Sequence, residues 1–505
     1  MKRAPLRSRV RLALVAVGLG AIVLAARGCG GDAPPPSPPA PPASPPARVR
    51  YAADGTPRQA FPRPRHPKNV LLICLDTLRA DALAPWAKGA PLMPLLSQEM
   101  ARGVVFRNAT ATAPWTAPSV ASILTGLLPT SHGAQELSTD LRLVPAVTTL
   151  AEILDRQGYR NAAFVGGGWV GPENGMLQGF EHVQSQFSFY RAADLLVSSQ
   201  RHLSEIAPWF VLIHTYEAHD PYMAPPPRQG KPPPPPAAID LAAVDAEAEA
   251  TGNRSLVRRF LLEHETRSAI FETAPGLERM RKVTRWFEEG LRNDPEGPAL
   301  VKTAREAYDK GLARLDRAMV GYLRDAEAAG LLADAIVAIV GDHGEGFGEH
   351  GTLHHGRRVY GELVHVPMSI RGPGLPEGLV VEGSVSTADL VPTLLELAGF
   401  PSPDGIDGAS MRPVIAGGPG RPVIAEERRT PMETGTPVDL DLHAVRDARH
   451  TWIGTRDRAT GRVTEEAYDR STDPGEERPL PAGDVPGWSP AFLEEVRKAR
   501  HAWIK

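Results

Sequence analysis

Two short apolar runs each stop on an acidic residue, and this pattern constrains the chain more than any other. Asn69-Val-Leu-Leu-Ile-Cys-Leu75 ends on Asp76, and Ala335-Ile-Val-Ala-Ile-Val340 ends on Gly341-Asp342-His343. Both read as buried strands. Further runs near 162–165 and 209–213 alternate with helical patterns such as Val147 to Gln157. Strand and helix in alternation predict an α/β fold with a mostly parallel central sheet flanked by helices. Ligands of such sheets bind beyond the carboxyl ends of the strands. Asp76, Asp342 and His343 are therefore expected to meet there, although Asp76 taken alone also suits an ordinary strand-end turn.

Between the two runs lies Pro114-Trp-Thr-Ala-Pro-Ser119, followed by a helical pattern that stops at Thr125-Gly126. Proline suits the first turn of a helix and glycine its end. Thr116 would then sit at a helix N-terminus, where free N–H groups and the dipole favour an anion. A metal on the Thr116 oxygen would lower its pKa and yield a nucleophile at neutral pH; the plainer reading is a helix-cap hydroxyl. The expected substrate carries a tetrahedral anion, phosphate or sulfate.

At these residues the chain resembles the sulfatase branch of the alkaline phosphatase superfamily. Asn69 to Leu83 is similar to its opening strand, Phe106 to Gly133 to its nucleophile region, and Gly341 to Gly351 to its second metal motif. Ser386 to Gly399 and Ala467 to Glu476 resemble its later landmarks. The resemblance implies an alkaline-phosphatase-like catalytic domain, placed at 67–415, and a smaller C-terminal α+β subdomain at 416–505. Strands of that subdomain would include Ala444-Val445 and Thr451-Trp-Ile453.

The sequence departs from the family pattern at the nucleophile. A typical sulfatase carries Cys or Ser, any residue, Pro, any residue and Arg, and oxidises the Cys or Ser to formylglycine. Here Thr116 and Val120 occupy the first and last positions. Oxidation of a secondary hydroxyl gives a ketone, so the usual modification cannot apply. The supporting Lys and His of the family fall on Gly167 and Trp169. Four residues of the formylglycine apparatus, the modified residue and three that support it, are absent together, which points to a changed mechanism.

Threonine nucleophiles occur elsewhere in the superfamily, including its phosphoethanolamine transferases. Resemblance to these maps a substrate-binding His onto His219, in His214-Thr-Tyr-Glu-Ala-His-Asp-Pro-Tyr222. A second maps onto His355, twelve residues after His343. Imidazoles flanking a phosphoryl group would stabilise charge in the transition state. His354 is read as a neighbour without chemical duty, His132 as structural, Ser119 as a cap or packing residue, and Cys74 as buried core.

The expected metal ligands are Asp76, Thr116, Asp342 and His343. Thr77 stands where many sulfatases carry a further metal-binding Asp. Two carboxylates and an imidazole favour one zinc or manganese ion over calcium, which prefers six to eight oxygens. Asp220 and Glu217 keep a second metal open.

The remaining sequence gives context. Net charge is -3 over 505 residues, and nothing suggests a nucleic-acid partner. Lys2, Arg3, Arg7, Arg9 and Arg11 precede an apolar stretch, Leu12 to Ala26. It is short for a membrane span and of the right length for a signal segment. Ala26-Arg-Gly-Cys29 resembles a bacterial lipoprotein box, so residues 1–29 are expected to be a signal with lipidation at Cys29, or an uncleaved anchor. Either places the enzyme outside the cytoplasm, secreted or held at a membrane. Residues 30–66 are a proline-rich linker, with an extended polyproline spacer at 34–46. A second proline run, Pro225–Pro227 and Pro232–Pro236, would lie at the mouth of the site, and residues 239–326 read as helices.

Three functions fit these residues. The first is a metal-dependent hydrolase or transferase of phosphate esters through a phospho-Thr116 intermediate. The second is a sulfuric ester hydrolase using Thr116 directly. The third is a non-catalytic protein that binds an anionic glycan or lipid. No formylglycine is expected anywhere in the chain. Peptide mapping of residues 106–126 should return the unmodified mass at Thr116, and an oxidised mass there would refute the departure from the family mechanism.

Overall fold

The computed structural model describes residues 66–136, 141–185, 188–189, 208–222, 239–263, 270–271, 276–430, 438–481 and 488–502. The signal segment, Cys29, the linker to residue 65 and the second proline run lie outside them. No described helix is long and apolar enough to cross a membrane.

The main sheet is built from β1 (Asn69–Leu75), β2 (Val104–Thr110), β3 (Arg160–Val165), β4 (His182–Gln184), β5 (Trp209–Thr215), β6 (Ala335–Gly341), β7 (Met368–Arg371) and β8 (Leu379–Ser386). Their spatial order is β4-β3-β5-β1-β6-β7-β2-β8. All neighbours are parallel except β7, which runs antiparallel to β6 and to β2. The sheet is thus the mostly parallel one expected, with β1 between β5 and β6.

Alternate residues of β1 feed two cores, one on each face of the sheet. Val70, Leu72 and Cys74 pack with α2 (Thr116–Thr125), α3 (Leu150–Arg156) and α5 (Leu390–Leu397). Leu71, Ile73 and Leu75 pack with α1 (Pro94–Met100) and α4 (Gly297–Ala328). A strand buried on both faces shows no polar alternation, which is why β1 and β6 read as unbroken apolar runs. Tyr308, Leu312 and Leu315 form the expected buried stripe of α4. On the same helix, the buried Asp316 accepts the N–H groups of Leu95 and Leu96 at 3.1 and 2.7 Å. It caps α1, whose own N-cap residue makes no side-chain bond.

The helix expected from Val147 begins three residues later, at Leu150. A capping box sets the start: Thr149 accepts from the Glu152 N–H while the Glu152 carboxylate accepts from the Thr149 N–H.

The C-terminal part is an antiparallel sheet of β9 (Val423–Arg429), β10 (Leu440–Arg446), β11 (His450–Asp457) and β12 (Val463–Asp469). It contains the two strand segments expected there. Phe492 and Val496 of α6 (Pro490–Ala502) pack on Val445 and Trp452. A buried carboxylate ties this sheet to the larger part of the fold. Glu476 accepts from Arg446 and from Thr451, each at 2.7 Å, and from the Gly361 N–H at 2.8 Å. Burial opposes its ionisation, yet Arg446 and Arg470 hold its pKa below the usual carboxylate value.

Breaking a buried ion pair from one side typically costs about 3–5 kcal/mol. Glu476→Ala should therefore lower the stability measured by urea unfolding by about that much. A change below about 1 kcal/mol would show that the subdomain is fastened elsewhere.

Candidate active site

The sheet places both acids by register. Leu75 lies level with Thr215 of β5 and Gly341 of β6. One residue on, the Asp76 N–H donates to Thr215 O at 3.1 Å and the Asp342 N–H donates to Leu75 O at 3.2 Å. Asp342 Oδ1 is held by the N–H groups of His343 and Thr77, at 2.7 and 3.2 Å. Thr77 meets it from a left-handed turn with φ 54°. Asp342 Oδ2 is left facing the site.

Thr116 is the first residue of α2, and its hydroxyl does not cap that helix. It donates to Asp76 Oδ2 at 3.0 Å and lies 3.3 Å from His343 Nε2. The helix is fixed from behind by Ser119, whose Oγ donates to Asp342 O at 2.6 Å, and it ends on Gly126 at φ 72°. Trp115 meets Trp169 edge to face at 5.9 Å, so an apolar wall occupies part of the region where the family's supporting Lys and His would map.

The two mapped histidines adjoin this centre. His219 Nε2 is 4.0 Å from Asp76 Oδ1, and the His219 and His355 ring centroids are 5.0 Å apart. His355 is 4.6 Å from His343, centroid to centroid. All six residues proposed from sequence are thus brought into one buried cluster. Thr116, Asp76, Asp342 and His343 are each at most 2% exposed.

Electrostatics set the two imidazoles apart. At His219 burial opposes the charge, but Asp220 and Asp76 raise its pKa to about 10. Its Nδ1 is engaged by Asp220, 3.0 Å from Oδ1 and 2.8 Å from the carbonyl. At His355 burial and the neighbouring His354 and His343 push the pKa well below the ordinary value. Its Nδ1 lies 3.1 Å from Glu345, whose own pKa burial raises to about 8. Tyr222 donates to Glu345 Oε2 at 2.8 Å. A protonated Glu345 can therefore donate to His355 Nδ1, leaving Nε2–H as a free donor.

The acids differ as well. Burial and the charge of Asp342 raise the Asp76 pKa well above normal. At Asp342 burial acts the same way, but His343 and His214 bring the pKa below normal.

Several contributors escaped the sequence reading. His354, taken as idle, sits 2.7 Å from Asp220 Oδ1 and stacks on Phe287 at 5.0 Å. Glu345 and Tyr222 were not singled out, since a partner of a partner carries no spacing of its own. His214 was quoted but given no role. Its signal was an imidazole inside an otherwise apolar strand, and it lies 3.7 Å from Asp76 Oδ2 and 3.8 Å from Asp342 Oδ2. His132 is structural as read: its ring nitrogens meet Ser122, Pro118 O and the Ala134 N–H.

The residues suit a cation. Asp76 Oδ1 and Asp342 Oδ2 are buried without a hydrogen-bond partner, and Asp76, Asp342 and His343 offer donor atoms within 4.8 Å of one another. Two neighbouring carboxylates with unpaired oxygens are unfavourable unless a positive charge lies between them.

Comparison with known proteins agrees with this fold. A family model described as Sulfatase matches residues 68–400. A delta 4,5-hexuronate-2-O-sulfatase of Bacteroides thetaiotaomicron is 24% identical over 447 residues, covering 84% of this chain and 86% of its own. The multifunctional alkaline phosphatase superfamily protein PehA of Trinickia caryophylli is 26% identical over 424 residues, covering 70% and 77%. Among solved structures, the phosphonate monoester hydrolase of Agrobacterium radiobacter superimposes with a TM-score of 0.60 at 20% identity, covering 86% of this chain and 96% of its own. A structure in complex with its substrate D-glucosamine-2-N,6-O-disulfate gives 0.62 at 19%, covering 86% and 98%. With its fold, its strand-end acids and the matched family model in agreement, the chain belongs to the sulfatase family, within the alkaline phosphatase superfamily.

Proposed function

We propose that this sulfatase-family hydrolase acts on phosphate esters, by hydrolysis or transfer, with Thr116 as its nucleophile. The observation that carries the reading is the Thr116 hydroxyl, uncapped and aimed at Asp76 Oδ2 and His343 Nε2 from a helix N-terminus. Asp76, Thr116, Asp342 and His343 would hold one divalent ion, which when bound lowers the pKa of the threonine hydroxyl and polarises the ester.

In the first step the Thr116 oxygen bonds to phosphorus, the bond to the leaving group breaks, and the departing alcohol takes up one proton, matching the one that Thr116 gives up. The hydroxyl proton is already directed at Asp76 Oδ2. His219, cationic, and His355, through Nε2–H, donate to the non-bridging oxygens as charge builds there. In the second step water or an acceptor hydroxyl attacks phosphorus and gives up a proton, the bond to Thr116 breaks, and the threonine oxygen takes a proton back to restore the free hydroxyl. The Trp115–Trp169 wall limits water on one side. Phosphate is preferred because a plain threonine ester of phosphate can be formed and released without a formylglycine.

A second reading, sulfate ester hydrolysis by Thr116, is favoured by the names of the relatives, most of which are sulfatases. The substrate in either case is an anionic ester, and a glycan or lipid carrier is compatible with the membrane-held position expected from residues 1–29.

Thr116→Ala should remove turnover by roughly 10⁴-fold or more, as for loss of a nucleophile. Wild type quenched during turnover of an aryl phosphate should carry a phosphoryl group on the 106–126 peptide. Efficient turnover of aryl sulfates with aryl phosphates far slower would select the second reading.

Asp220→Asn keeps the shape beside His219 and removes the charge. It should lower kcat about 10- to 100-fold and leave metal content unchanged. Unaltered kcat would show that His219 needs no carboxylate partner.

A further inference from the structure

We infer that His214 is an additional protein ligand of the metal centre, giving a donor set of two imidazoles, two carboxylates and one hydroxyl that selects a late first-row transition ion such as zinc over calcium. The inference rests on the metal centre proposed above and assigns it a residue and an ion class.

His214 is fully buried at the end of β5, level with Cys74 of β1. Neither of its ring nitrogens has a hydrogen-bond partner. A structural core histidine is normally satisfied. His132 shows this within the same protein, with a bonded partner at each ring nitrogen. The neighbours of His214 are instead the two carboxylates that also carry unpaired oxygens.

The donor atoms close into a ring. Thr116 Oγ1 is 3.0 Å from Asp76 Oδ2, and that oxygen is 3.7 Å from His214 Nε2. His214 Nε2 is 3.8 Å from Asp342 Oδ2, which is 3.6 Å from His343 Nε2. His343 Nε2 returns to Thr116 Oγ1 at 3.3 Å. Donors about 2.1 Å from one shared zinc ion stand about 3.0–3.6 Å apart at its usual angles. Every edge of the ring lies at that spacing or within a few tenths of an ångström beyond it. The His214 edges at 3.7 and 3.8 Å are too long for hydrogen bonds and slightly longer than the spacing around one zinc ion, so a bound ion would draw the ring inward by a few tenths of an ångström. Imidazole nitrogens suit zinc, whereas calcium takes six to eight oxygens.

The test measures metal and not turnover. Zinc-loaded full-length protein is examined by X-ray absorption, and zinc affinity is measured by competition with a chromophoric chelator. Wild type should show two imidazoles on zinc, and His214→Ala and His214→Asn one, with affinity about 10- to 100-fold weaker. Added zinc should raise the melting temperature of metal-free wild type, and added calcium should not. One imidazole in wild type, unchanged affinity in the variants, or a calcium response matching that of zinc would overturn the inference. The wild-type spectrum decides the case even if both variants fail to fold. Asp342→Asn separates the two levels: if it too leaves zinc affinity unchanged, the metal centre itself is misplaced, whereas loss there with none at His214 removes only this inference.

Discussion

The centre depends on the parallel pairing of β1 with β5 on one side and β6 on the other. Asp76, Asp342 and His214 come from three strands separated by long stretches of sequence, yet main-chain hydrogen bonds at Leu75, Thr215 and Gly341 bring their ends level. A register slip of one residue would send these side chains to the opposite face of the sheet. The apolar residues of β1 prevent that slip, because its alternate side chains are committed to two separate cores. The positions of the charged groups are therefore set by packing several residues away from them.

A second layer holds the imidazoles. Asp220 joins His219 to His354, and Glu345 joins His355 to Tyr222. The two carboxyl groups act in opposite senses: Asp220 supports a charged ring, while Glu345 supports a neutral one. The same phosphoryl or sulfuryl group would then meet donors of different strength on its two sides. On the proposed reading, that arrangement would stabilise an expanding, more negative centre without placing two full positive charges in contact.

The strands, the helix that begins at Thr116 and the cluster of six residues were legible because each depends on local pattern or on a long motif. Apolar runs ending on Asp76 and Asp342 announce buried parallel strands, and Pro118 with Gly126 brackets a helix. The start of α3 was misread by three residues because periodicity continued through Val147, whereas Thr149 and Glu152 decide the boundary by hydrogen bonding. Glu345, Tyr222 and the duty of His354 were not legible, since their roles arise from contacts between distant segments. His214 shows the limit best. A single histidine in an apolar strand looks the same in sequence whether it meets a backbone carbonyl or an ion, and only the vacant hydrogen-bond positions around it tell the two apart.

The unpaired oxygens of Asp76 and Asp342 have a consequence beyond chemistry. On the proposed reading, two buried carboxylates that lack their ion resist closure of the strand ends, so folding and ion supply would be linked through mass action. An ion at one hundred times its dissociation constant adds about 2.7 kcal/mol to the folded state, a sizeable share of the about 5–15 kcal/mol that holds a domain together. On the proposed reading, scarcity of that ion would thin the population of folded molecules and leave them open to proteolysis. The supply of a trace element would then govern how much of this protein persists, as well as how fast each copy works.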